Sequence, residues 1–149
     1  MADSTQVPNY VGAITAVLIN VLLIALFIAR LGHRPKIEYW LGIATILGLV
    51  PLAYLFIAAV NGKRPLLYFI QIGLMITYLI VELLADYVLK IEFRQIRWMA
   101  IPYVTLFYAA TGGMIGVASQ AGRVWTIVTV VSFLIMTALS LVQHSITGQ

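Results

Sequence analysis

Residues 10–29 of the chain read YVGAITAVLINVLLIALFIA, twenty residues without a single charge. A helix rises 1.5 Å per residue, so such a run covers about 30 Å, the thickness of a bilayer's hydrocarbon core. The apolar residues are continuous rather than alternating, and the run is about twice as long as a barrel strand. It therefore reads as a membrane-spanning helix. It also exceeds the roughly 7–15 residues of a signal-peptide core, and no basic segment precedes it and no A-x-A site follows. The expectation is a retained helix.

Four further runs have the same character: 37–60, 66–89, 98–118 and 124–142. Their linkers are short: RLGHRPK (30–36), NGKRP (61–65), KIEFRQIR (90–97) and SQAGR (119–123). Short connections force consecutive helices to run antiparallel. The predicted fold is an all-α, five-span, up-down membrane bundle forming a single membrane domain. Pro35 and Pro65 stand where new helices begin. Pro51 falls within the second span, where it frees the carbonyl of Leu47 and predicts a kink.

Composition supports this reading and narrows the chemistry. Of 149 residues, 62% are hydrophobic and 9% charged, against roughly 25% charged in soluble domains. Such a chain cannot cover a water-facing surface. Cysteine is absent, which removes disulfides, thiolate metal sites and thiol catalysis. There is no G-x-S-x-G, no H-E-x-x-H and no phosphate-binding glycine loop. His33 and His144 both fall at one membrane edge and cannot clamp a haem at mid-depth. No cofactor and no nucleic-acid partner is expected. The net charge of +4 marks membrane edges instead. Arg30, Arg34, Lys36, Lys90, Arg94 and Arg97 fall on one side; Lys63, Arg64 and Arg123 fall on the other. This asymmetry predicts a cell-membrane protein with its N-terminus outside and its C-terminus in the cytoplasm.

The candidate site is on the third span. Glu82 lies about 24 Å into that helix, and an acid at membrane depth costs about 2.5–3.5 kcal/mol at the centre on insertion scales. At 100° per residue, Gln71, Tyr78, Glu82 and Asp86 share one stripe, which should face other helices or water. Asp86 has a plain structural role available, since Lys90 follows at i+4. Glu82 has two readings. One is an ion pair with Arg30 or Arg97; the other is a site for a proton, a cation or a cationic ligand. Tyr103 is expected at the depth of Glu82. Asn20, Thr45, Tyr54, Tyr78, Thr105 and Tyr108 form a polar middle layer, either as interhelical hydrogen bonds or as pocket lining.

In the fourth span, Gly112 and Gly116 stand four apart, overlapped by Ala109 and Gly113. This spacing predicts a close helix contact, within the bundle or between protomers. The leading expectation is a small polytopic protein that binds or transports a cationic or amphiphilic ligand. Its site would use Glu82, Asp86, Tyr78, Tyr103, Gln71, Asn20 and Tyr108. The bilayer, and a homo-oligomer or another membrane protein, are the expected partners. A non-catalytic accessory subunit is the alternative, and a lipid-modifying enzyme a third reading.

Overall fold

A computed structural model describes residues 6–88 and 97–147. Within them the chain is helical, with no strand. The elements are α1 (Gln6–Leu31), α2 (Pro35–Ile46), α3 (Leu49–Asn61), α4 (Leu66–Glu82) with a π-helical extension (Leu83–Val88), α5 (Arg97–Ser119) and α6 (Arg123–Thr147). The helices α2 and α3 follow one another as a single span, so five helices are long and apolar enough to cross a membrane. That pattern suggests a multi-pass membrane protein.

Helix α1 is central. Half of its apolar window is buried inside the bundle, against 17% for α6 and 22% for the second span. It packs on α2, α3, α5 and α6, while α4 closes the far side against α5 and α3. The sequence permits this because Gly12, Ala13 and Ala16 form a row of small residues on its first turns. A Cβ added at Gly12 would lie 2.7 Å from the Val117 side chain of α5. The lower half of α1 carries larger groups, Leu23, Leu26 and Phe27, all buried.

The kink in the second span is a break. Leu47 and Gly48 form a tight turn in which the Gly48 N–H donates to Thr45 O at 3.0 Å. The Leu47 carbonyl, which Pro51 cannot serve, accepts from Val50 N–H at 3.1 Å. A Cβ at Gly48 would meet Thr45 O at 2.9 Å and Ile19 of α1 at 3.4 Å. Proline explains the lost hydrogen bond, and glycine explains how closely the turn sits on α1.

The first two linkers fold alike. Arg34 N–H reaches Ala29 O at 3.0 Å, and Arg64 N–H reaches Ala59 O at 3.1 Å. His33 (φ 53°) and Lys63 (φ 52°) take the left-handed conformation in equivalent positions, the six-to-one closure that ends many helices. A proline then starts the next helix in each case. The remaining boundaries differ from the predicted ones by a few residues, most at α6, which continues to Thr147 rather than ending at Val142.

The glycines of α5 resolve the choice between intra- and inter-protomer contact for two of three positions. Gly113 and Gly116 lie under Gln71 of α4, whose Cα is 3.5 Å from an added Gly113 Cβ. A Cβ added at Gly112 would meet nothing within 4 Å beyond its own helix, so it takes no part in this contact.

These differences set an order of tolerance. Gly12→Ala and Gly48→Ala are each expected to destabilise the bundle by about 1–3 kcal/mol through overpacking. Gly112→Ala should instead be neutral or stabilise by up to about 1 kcal/mol, through helix propensity. Thermal unfolding of the protein in mild detergent, followed by circular dichroism, checks that order. Replacing His33 or Lys63 by glycine should each stabilise by about 1 kcal/mol, because both residues hold a left-handed backbone that costs a side chain about 1–2 kcal/mol. The same melts read this.

Candidate functional site

Tyr78 and Glu82 stand one turn apart on α4, on the face turned to α5. The Tyr78 hydroxyl donates to Glu82 Oε1 at 2.9 Å. Tyr103, in the second turn of α5, donates its hydroxyl to the same oxygen. The two hydroxyls are 3.4 Å apart. The Glu82 carboxylate is thus held by two phenols from two helices. Directly after Glu82 the helix widens into the π-helical turn, a rare irregularity that is frequent at functional sites.

Aromatic rings surround this group. Phe107 is the hub: its ring meets Tyr78 at 5.4 Å, Phe27 at 6.1 Å and Tyr108 at 4.9 Å, all near edge-to-face. Tyr78 and Tyr103 have centroids 5.9 Å apart. Edge-to-face contacts add about 0.5–1.5 kcal/mol beyond burial, so the rings form a stiff wall. Tyr108 extends that wall to α6 by donating to Ser140 Oγ at 3.1 Å.

A cavity of about 200 Å³ lies against this wall. Five helices contribute to it. Leu23, Leu26 and Phe27 of α1 supply apolar surface, and Gly42, Thr45 and Ile46 of α2 close one side. Glu82, Tyr78, Tyr103 and Tyr108 all reach it, and Ser140, Gln143 and His144 of α6 add polar groups. Arg30 also lines it, but its Nε donates to Glu38 Oε1 at 2.7 Å, across the first linker. The guanidinium that the sequence offered to Glu82 is therefore engaged with Glu38. The other candidate, Arg97, has its side chain outside the described residues, as do Asp86 and Lys90.

Two of the predicted site residues sit elsewhere. Gln71 continues the polar stripe toward α5, but its side chain lies over Gly113 and Gly116, away from the cavity. Asn20 is fully buried between α1 and α6, where its Nδ2 donates to Ser132 Oγ at 3.0 Å. Its Oδ1 has no hydrogen-bond partner among the described residues. In the same middle layer, Thr105 bonds back to Ile101 O, and Tyr54 is largely exposed near the opposite end of the bundle, in a shallow groove with Asn61 and Arg64.

The α6 contribution was not anticipated. Ser140, Gln143 and His144 follow the i, i+3, i+4 spacing of one helix face, and Gln143 is 1% exposed despite its amide. That spacing was the available signal; it was lost because the apolar run stops at Val142.

The fold and site together define a helical bundle, with five helices long and apolar enough to cross a membrane and a polar, ring-walled cavity toward one end. No protein-family profile, no curated protein and no solved structure matches the chain.

The shared acceptor makes the two phenols interdependent. Tyr78→Phe and Tyr103→Phe should each lose a hydrogen bond worth up to about 1.5–3 kcal/mol if the carboxylate is charged. Together they should cost more than the sum, by at least about 0.5 kcal/mol, because the second substitution removes the donor that compensates for the first. A double-mutant cycle on thermal stability measures the coupling; strict additivity would mean that the phenols do not share Glu82.

Proposed function

We propose that this chain is a small multi-pass membrane protein that binds or transports a small cationic or amphiphilic ligand in the cavity beside Glu82. The observation that carries the reading is the convergence of one carboxylate and five aromatic rings, Phe27, Tyr78, Tyr103, Phe107 and Tyr108, on a single cavity. Ring faces attract cations, by about 2 kcal/mol or more where water is excluded, and a nearby carboxylate adds to the same field. The hydroxyls of Tyr78 and Tyr103 hold the Glu82 oxygen in place, so little reorganisation is needed when a ligand arrives.

The volume limits the ligand. About 200 Å³ exceeds the ~150 Å³ that admits benzene and falls short of the ~300 Å³ at which drug-sized sites begin. One ring, or a short branched alkyl group carrying a charge, fits. On the asymmetry of Lys and Arg, the cavity faces the cytoplasmic half of the membrane, beyond the depth at which an acid is most costly.

Phenyltrimethylammonium and its uncharged isostere tert-butylbenzene separate charge recognition from filling of an apolar hole. The cation should bind the wild-type protein, and Glu82→Gln should raise its Kd at least about tenfold, equivalent to 1.4 kcal/mol. Binding of the isostere should be unaffected. Calorimetric titration in detergent reads both. A wild type that ignores the cation, or a Glu82→Gln variant that binds it equally well, would sink the reading.

A further inference from the structure

The cavity carries charge of both signs, and the fold sorts it. Glu82, the last residue of α4, reaches the cavity from a helix that packs on α5 and α3 and lightly on α2. Arg30 and His144 reach it from the last turns of α1 and α6, which pack on each other. The acid and the two basic side chains therefore approach one volume from different groups of helices. Arg30 is only partly engaged. Its Nε donates to Glu38 Oε1 at 2.7 Å, and its Cζ lies 5.7 Å from the centroid of Phe27, itself a cavity residue. A guanidinium has five N–H donors in a planar fork. The four on the outer nitrogens of Arg30 make no hydrogen bond among the described residues. Its side chain is 12% exposed, so an anion placed there would meet these donors with little competition from water. His144 is exposed at the rim of the same cavity. Its imidazole adds one N–H donor when neutral and two when protonated.

We infer that the ligand of this cavity is a zwitterion: an ammonium group held by Glu82 and the rings, joined by a short chain to a singly charged anion held by Arg30 and His144. A simple cation drawn to Glu82 shares the volume with the Arg30 guanidinium and is repelled by it. A negative group on the same molecule turns that repulsion into a charge-assisted hydrogen bond, for which the guanidinium fork is well shaped. The cavity is also close to neutral as a whole, since Arg30 and Glu82 offset one another, and a ligand neutral overall leaves that balance undisturbed. A carboxylate on a free small molecule and the phosphodiester of a lipid headgroup both supply this chemistry. The inference rests on the cavity being a ligand site for cationic groups; it adds the second charge and assigns its partners.

Two probes of equal size isolate the anion: 4-trimethylammoniobutanoate and its uncharged-tail amide, 4-trimethylammoniobutanamide. Both are titrated calorimetrically in a non-ionic detergent. Wild type should bind the carboxylate at least about tenfold more tightly than the amide. Arg30→Gln should erase that preference by weakening the carboxylate while leaving the amide unchanged or tighter. Glu38→Gln breaks the same ion pair but keeps Arg30 at the cavity, so it should retain the preference. Glycerophosphocholine, a headgroup without its acyl chains, is titrated beside them. If it binds more tightly than the carboxylate, the zwitterion is a lipid headgroup; if more weakly, it is a free molecule. A wild type that binds both matched probes equally overturns the inference and leaves the cationic site standing; one that binds neither, nor phenyltrimethylammonium, overturns both. This comparison needs no variant and decides even if Arg30→Gln fails to fold. An Arg30→Gln protein that weakens both probes alike, or neither, also overturns the inference, as does loss of the preference in Glu38→Gln.

Discussion

The close approach of α1 to its neighbours at one end is the constraint on which the remaining structure depends. Gly12 against Val117, with Ala13 and Ala16 beside it, leaves no room for a larger side chain between α1 and α5. At the same end Gln71 of α4 lies directly on Gly113 and Gly116 of α5. Moving toward the other end, both contacts are made by large groups: Phe27 against Phe107, and Tyr78 against Phe107 and Tyr103. Two helix pairs that are narrow at one end and propped apart by rings at the other must diverge. The cavity occupies the place where they do. It is a consequence of side-chain size graded along α1, α4 and α5, and this gives the site its rigidity.

That taper also decides where polar groups are tolerated. At the narrow end and through the middle, polar side chains are locked into pairwise or local bonds: Asn20 with Ser132, and Thr15, Thr111 and Thr129 with carbonyls of their own helices. These hold helices together and offer a ligand little. At the wide end the polar atoms converge on shared space instead. Glu82 accepts from two helices, Tyr108 links α5 to α6, and Gln143 and His144 line the same volume. An unpaired buried group costs about 1–3 kcal/mol. Gathering polar groups from several helices around one volume lets them partner one another across those helices.

The five long apolar helices were legible in the sequence because hydropathy over twenty residues depends little on which helix is the neighbour. The meeting of Tyr78, Glu82 and Tyr103 was legible for a similar reason. Tyr78 and Glu82 are linked by local helical spacing, and Tyr103 by depth, since an antiparallel neighbour returns to the same level after a known number of residues. Gln71 and Asn20 were assigned to the same site because a helical wheel gives the direction of a side chain but not what stands opposite. Gln71 does face α5, at a level where α5 presents glycine rather than tyrosine. Asn20 faces α6, a pairing that no linker length announces because the first and last helices are joined only by the fold. The small-residue row of α1 was equally visible in the letters, but its meaning depends on α1 being central.

The break in the second span shows how one residue's local requirement becomes a property of the site. Pro51 demands only that the Leu47 carbonyl find another donor, and a continuous, gently kinked helix would satisfy that. Gly48 changes the outcome. Its missing Cβ lets the turn settle against Thr45 O and Ile19, so the chain lies close on the central helix there. The residues just before the bend, Gly42, Thr45 and Ile46, then lie level with the ring wall of α5 and complete the cavity. Below the turn, the half-span is held to α1 by the closed Gly32–Arg34 linker and by the Arg30–Glu38 pair. The cavity wall formed by α2 is thus seated on α1 at both of its ends.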